Sequence, residues 1–276
     1  MRFAPLCRGY GAHLVGAADG WPDDPVAAIS AFRCERSLLR PSVWFVDPGA
    51  DRLADAAASA QSREAGAISV TPAWQCLATV LSHLGADHTA SGGQPVPVVP
   101  GITMLARRLF EFREAAGPEA DDALDEAGLL LAGLLRPLLE AGSRAVAIIE
   151  RARGIDLALV DEMLSPVHRL LAHQGAMLWI VAEDGGLSDF SEFGGEVAGI
   201  LLPDVDVRKH SAGLMGMTTG YGLAGELFVR RLAPEELRTT VAAVRNAEVF
   251  SPVVSASALP ETVLAIADAI VMAPTE

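Results

Sequence analysis

AVAIIE at Ala145–Glu150 and MLWIVA at Met177–Ala182 decide the fold. Both runs are apolar almost throughout, where a strand with one wet face would alternate apolar and polar residues. Continuous runs of this kind suit parallel strands buried on both faces. Between them, Ile155–His173 spaces its apolar residues by three and four, the period of a helix. The same alternation extends in both directions. Upstream lie SVWFV (Ser42–Val46), AISV (Ala67–Val70) and VPVV (Val96–Val99). Downstream lie VAGILL (Val197–Leu202), GLMGMT (Gly213–Thr218) and VFSPVV (Val249–Val254). Helical patterns cover Asp51–Arg63, Ala73–Leu84, Ile102–Ala115, Glu119–Glu140, Pro234–Ala247 and Glu261–Met272. Pro234 followed by two glutamates is a helix start, with proline at the first position and acids at the positive end of the dipole. Eight strands alternating with helices predict an α/β fold, a (β/α)8 TIM barrel, over a doubly wound open sheet. Residues 1–41 read as an N-terminal extension with a helix at about Pro25–Leu39, and residues 42–276 as a single barrel domain.

Composition excludes several classes of partner. The chain has 276 residues, 21 Lys+Arg and 35 Asp+Glu, for a net charge of −14. That balance disfavours nucleic acid or an anionic membrane as the main partner and leaves a small-molecule substrate. No apolar run reaches the length of a membrane span. The nearest, Ala127–Leu139, is broken by Arg136. The opening MRFAPLCRGYGAHLVG has no continuous apolar segment of the signal-peptide kind. Three cysteines, few and odd in number, fit a reducing, cytoplasmic setting.

A (β/α)8 barrel does its chemistry where strands end and helices begin. Asp47, Asp51, Thr71, Glu150, Arg151, Glu183, Asp184, Asp204, His210, Thr218, Thr219, Tyr221, Ser255 and Ser257 pass this filter. His83, His88, His168 and His173 fall at helix ends and fail it. Carboxylates dominate the expected mouth. Two of unlike burial serve as general acid and base, and a cluster can hold a divalent cation. Asp51, Asp204 and Asp206 are as readily helix caps. Glu150 and Asp184, at the ends of apolar strands, are the stronger catalytic candidates, with Glu183 beside them. GYGLAG (Gly220–Gly225) matches the phosphate-loop pattern G-x-G-x-x-G but lacks the following long helix, so a plain loop is expected. Lys209, the sole lysine, reads as a solvated surface residue. One of Arg107 and Arg108 is placed to reach an anion.

The chain resembles the uroporphyrinogen decarboxylase superfamily over roughly residues 38–273. RPSVWFVDPGADRL (Arg40–Leu53) resembles the segment R-P-P-V-W-x-M-R-Q-A-G-R-Y-L. VPVVPGITMLARRLF (Val96–Phe110) is similar to P-V-I-G-x-x-G-G-P-F-T-L-A, and LLEAGSRAVAIIERARG (Leu138–Gly154) to Q-I-E-A-G-A-D-A-V-Q-I-F-D-S-W-A-G. The resemblance implies the barrel, a site at its mouth and a homodimer. That superfamily also includes corrinoid-dependent methyltransferases and is similar to cobalamin-independent methionine synthase. The departures bear on function. Asp47 and Asp51 stand where the decarboxylase arginines hold substrate carboxylates, and carboxylates facing carboxylates in a dry site are unfavourable. VAEDGG (Val181–Gly186) stands where the methyltransferases carry the H-x-C of a thiolate zinc site.

These features predict a diverged lyase acting on a small molecule other than uroporphyrinogen. Glu150 and Asp184 would be its acid–base pair, with Glu183 supporting. Asp47, Thr71, Arg107, Arg151, Asp204, His210, Thr218, Tyr221 and Ser255 would line its substrate site. No cofactor is called for, while a divalent metal on Glu150, Glu183 and Asp184 stays open. The alternatives are a methyl- or alkyl-transferase of the same superfamily and a non-catalytic ligand-binding barrel.

Overall fold

A computed structural model describes residues 2–16, 21–61, 71–86, 94–109, 118–151, 157–183, 197–206, 218–223, 227–245 and 248–271. The elements run β1 (Arg2–Phe3), β2 (Leu6–Arg8), α1 (Tyr10–Leu14), α2 (Pro25–Leu39), β3 (Trp44–Val46), α3 (Ala50–Gln61) and α4 (Pro72–Ala86). Next come β4 (Pro95–Pro100), α5 (Ile102–Leu109), α6 (Pro118–Glu140), β5 (Ala145–Glu150), α7 (Leu157–Met163), α8 (Ser165–Gln174) and β6 (Met177–Ala182). The chain continues through β7 (Val197–Asp206), β8 (Thr219–Gly222), α9 (Pro234–Arg245), β9 (Val249–Phe250), β10 (Val253–Ser255) and α10 (Pro260–Val271).

One parallel sheet of eight strands has the order β1-β9-β8-β7-β6-β5-β4-β3. Its two ends meet: the Ser42 and Val43 amides both donate to the Phe3 carbonyl, at 2.7 and 3.2 Å. β2 pairs in parallel with β10 in a second short ladder. The result is a (β/α)8 barrel with helices between its strands, as the sequence predicts.

Side-chain alternation shows which residues face inward. Phe45 on β3 and Trp179 on β6 meet edge to face at 6.3 Å. Their strands are not neighbours in the sheet, so this contact crosses the barrel interior. Ala147, Ile149, Val181 and Leu201 belong to the same inner cluster. Val146, Ile148, Ile180 and Leu202 belong to the outer cluster, shared with the helices. Residues two apart on a strand share a face. Glu150 therefore turns toward the helices, while Glu183, two beyond Val181, turns toward the interior.

Four expectations need correcting. First, the barrel's opening strand lies at Arg2–Arg8, inside the stretch read as an extension. Pro5 splits it into two pieces too short to read as an apolar run, since proline cannot donate to the ladder. Second, β3 pairs directly with β4, so no strand at 67–70 lies between them. Residues 67–70 themselves lie outside the described residues. Third, the seventh barrel strand is Thr219–Gly222, following the stretch expected at 213–218, of which only Thr218 is described. Fourth, the helix expected at 155–173 breaks at Leu164, and Pro166 starts its second half. None of the described helices is long and apolar enough to cross a membrane.

Two of the GYGLAG glycines, Gly220 and Gly222, serve packing. A Cβ on Gly222 would lie 1.7 Å from the Pro203 carbonyl oxygen, and one on Gly220 would lie 2.5 Å from the Leu201 side chain. The phosphate-loop resemblance is thus two glycines that let β7 and β8 approach. Gly222→Ala forces backbone apart, and about 3 kcal/mol of stability should be lost in urea unfolding. A loss under about 0.5 kcal/mol would show that the strand shifts freely.

Candidate functional site

At the C-terminal ends of the strands a cavity of about 420 Å³ runs from the barrel interior to the space beneath α1 and α2. Its inner side carries Arg8, Asp47, Ile149 and Arg151, and its outer side Cys7, Gly11, Phe32 and Glu35. Trp21 closes one flank, its ring 4.7 Å from that of Phe32.

Charge on the inner side is arranged in pairs. Arg151 holds Asp51 with both terminal nitrogens, at 3.0 Å each, and gives its Nε to Glu183 at 2.8 Å. Arg8 contacts Glu183 as well, and its Nε lies 3.9 Å from Asp47. Arg108 adds contacts to Asp51 at 3.4 Å and to Asp55 at 3.2 Å. The Arg151 hydrogen bonds hold the Asp51 carboxyl below its ordinary range. Bidentate arginine–carboxylate geometry of this kind is specific as well as strong.

The carboxyls on the outer side are held differently. Glu35 is 2% exposed, and burial pushes its pKa up from 4.5 to about 8. The Cys7 thiol and the Gly11 amide donate to it and pull the other way, while Asp47 adds to the rise. Its Oε2 has no hydrogen-bond partner. A Cβ on Gly11 would come within 2.9 Å of that oxygen, so glycine is what leaves the carboxyl its space. Asp47 is also raised by burial, but the Gly49 amide, donating at 2.8 Å, and Arg8 favour its ionised form. The Cys7 thiol is raised well above its usual range by burial and then by Glu35, which makes it a poor thiolate.

Of the residues predicted from sequence, Asp47, Asp51 and Arg151 line this cavity, and Glu183 bonds the two arginines that face it. Glu150 does not line it. Its carboxyl accepts from the Ile102 amide at 2.8 Å, the Thr103 amide at 3.3 Å and the Thr103 hydroxyl at 2.5 Å. It closes the first turn of α5, whose leading amides would otherwise lack acceptors. Arg107 lies close enough to act on the Glu150 charge. Thr71 precedes α4, Asp204 is exposed on β7, and Tyr221 is buried toward the helices. Ser255 bonds Ser257 beside the lining residue Ala256. Thr218 sits at the opposite end of the barrel, bonded to Glu248 at the start of β9, because its strand begins after it. Asp184 and His210 lie outside the described residues.

Sequence reasoning missed Cys7, Arg8 and Glu35. The first two end the strand hidden by Pro5. Glu35 had a visible signal: with Ala28, Phe32 and Leu39 it occupies one helical stripe, all four buried. A glutamate inside an apolar stripe marks either a buried partner or a site.

Metal chemistry of the thiolate type does not fit these residues. Cys7 faces Glu35, Cys76 lies near Trp21 and Arg52, and Glu150 and Glu183 turn to opposite faces of the sheet. Among the described residues no three His, Cys, Asp or Glu side chains converge to hold a metal.

No protein-family model and no curated protein matches the chain. Solved structures do. A methyltransferase from Methanosarcina mazei shares 13% identity over 97% of this chain and 93% of its own, with a TM-score of 0.74. A B12-independent methionine synthase from a Shewanella species, in complex with selenomethionine, shares 12% identity over 71% of this chain and 64% of its own, with a TM-score of 0.45. The likeness to the methyltransferase, spanning nearly both chains, establishes that this protein has the fold of that (β/α)8 enzyme.

Proposed function

We propose that the protein is a methyl- or alkyl-transferase acting on a small acceptor held in the mouth cavity. The observation that carries this reading is the buried Glu35 carboxyl with its unpartnered Oε2, at the strand ends of a methyltransferase-like barrel. Transfer needs an acceptor X–H that loses its proton as X attacks the alkyl carbon. The X–C bond forms, the bond to the donor's leaving group breaks, and the leaving group keeps that electron pair. Glu35 takes the acceptor proton, a role suited to a base whose pKa of about 8 is close to working pH. The Arg8–Glu183–Arg151 chain holds the inner side rigid.

The decarboxylase reading loses ground on the same geometry. Arg8, Arg52 and Arg151 line the cavity, but each is already matched by a carboxylate. A polyanionic substrate would have to strip those pairs. Lyase chemistry on a less charged substrate keeps one supporting observation, the unlike surroundings of Glu35 and Asp47.

The test is incubation with isotopically labelled sulfonium and quaternary-ammonium methyl donors and a set of thiols, amines and alcohols, read by mass spectrometry. A labelled acceptor is expected. Glu35→Gln should slow its formation by about 100-fold or more. Undiminished transfer in that variant removes Glu35 as the base, and a cleaved substrate with no alkylated product supports the lyase.

A further inference from the structure

We propose that the ligand of this cavity is a small organic amine, bound as its ammonium between the Trp21–Phe32 aromatic wall and the Glu35 carboxyl. The proposal rests on the transferase reading for the amine's role as acceptor, and its binding is measurable without turnover.

Three features of the cavity select this chemistry. Phe32 and Glu35 are three residues apart on α2 and so share a face, which sets an aromatic ring beside a carboxyl. Trp21 extends the aromatic surface. Aromatic faces beside a carboxylate are a recognised environment for ammonium groups. The third feature is charge. The arginines are already matched, Arg8 by Asp47 and Glu183, Arg52 by Asp23, and Arg151 by Asp51 and Glu183. Among the described residues lining the cavity, the buried polar atom without a hydrogen-bond partner is the Oε2 of Glu35. A cation completes it, whereas an anion would compete with the carboxylates already seated.

The groups acting on Glu35 come from every side. β2 supplies Cys7, α1 supplies Tyr10, and the segment after β3 supplies Asp47. Glu261 of α10 acts on Tyr10. Cys76 of α4 is tied to Trp21, Arg52, Asp23 and Asp24. The groups coupled to Glu35 itself, the Cys7 thiol, the Gly11 amide, the Tyr10 hydroxyl and Asp47, are neutral or acidic, so an ammonium would be its cationic partner. With burial holding Glu35 up at about 8, the empty site carries a proton at neutral pH, and an arriving cation expels it. In turnover the same carboxyl takes a proton from the ammonium, leaving a neutral nitrogen with a free electron pair to attack the alkyl carbon.

The experiment is isothermal titration calorimetry at pH 7 in two buffers of different ionisation enthalpy, with no alkyl donor. The probes are methylammonium, butylammonium and benzylammonium, each with its matched alcohol and carboxylate. At least one amine should bind about tenfold or more tightly than its alcohol, releasing close to one proton. Glu35→Gln should weaken it about tenfold and abolish the release, while Phe32→Leu weakens binding with the release retained. The proposal is overturned if no amine binds, if the alcohol or carboxylate binds as well, or if proton release survives in Glu35→Gln. An amine that binds but is never alkylated overturns the transferase reading alone. Transfer to thiols with no amine binding overturns this one alone.

Discussion

Glu150→Ala is expected to cost the protein about 3–5 kcal/mol of stability, the range for stranding buried partners of a charged group. The loss has two parts. The Ile102 amide, the Thr103 amide and the Thr103 hydroxyl all lose their acceptor, in a place water does not reach. Truncation also leaves a cavity between β5 and α5. Glu150→Gln keeps the shape and one acceptor oxygen, and should cost about 1–2 kcal/mol. Urea unfolding followed by circular dichroism checks both, with an unchanged m-value showing that the native state is intact. If Glu150→Ala unfolds like the parent but has lost turnover, the capping role is wrong and Glu150 returns as a catalytic acid.

The second large effect is on pH dependence. Glu35 has its folded pKa raised from 4.5 to about 8. A group raised in this way binds protons more tightly in the folded state. Its contribution is therefore complete at low pH and is lost as pH climbs toward 8. At pH 8 the half-ionised Glu35 should hold stability about 4 kcal/mol below that of Glu35→Gln, with the gap narrowed to about 1 kcal/mol at pH 5 and near equality by about pH 4. The Gln amide stands in for the protonated carboxyl, since its oxygen keeps the Cys7 and Gly11 donors. Glu150 titrates in the same direction but only up to about 7. Between pH 7 and 8, then, the parent should still be losing stability while Glu35→Gln levels off. Parallel stability curves for the two proteins would show that Glu35 does not titrate in that window. The variant that disables the proposed base is thus the more stable protein above neutral pH, a trade seen where a site holds a strained or desolvated group.

The barrel was legible because its strands announce themselves one at a time. AVAIIE and MLWIVA carry their burial in their own composition, and β5 and β6 occupy the predicted residues. The first strand failed the same test because Pro5 interrupts it, and Cys7 and Arg8 were overlooked with it. Glu150 shows a different limit. Its place at a strand end is legible in the sequence, but position along a strand does not say which face the last side chain takes. The inward set of Ala147 and Ile149 settles that, and turns Glu150 to the helices.

By itself, then, the sequence determined the alternating elements, the parallel sheet, the acidic character of the chain and the end of the barrel where the cavity opens. These follow from patterns among neighbouring residues, which the backbone periods translate directly into buried faces. Only the tertiary structure decided which carboxyl sits in the cavity and in what state. Glu35 comes from a helix, Cys7 from one strand and Asp47 from beyond another, and Arg151 reaches Asp51 across the mouth. Their proton affinities depend on the water excluded and the charges opposed at that meeting point. Residues distant along the chain set both.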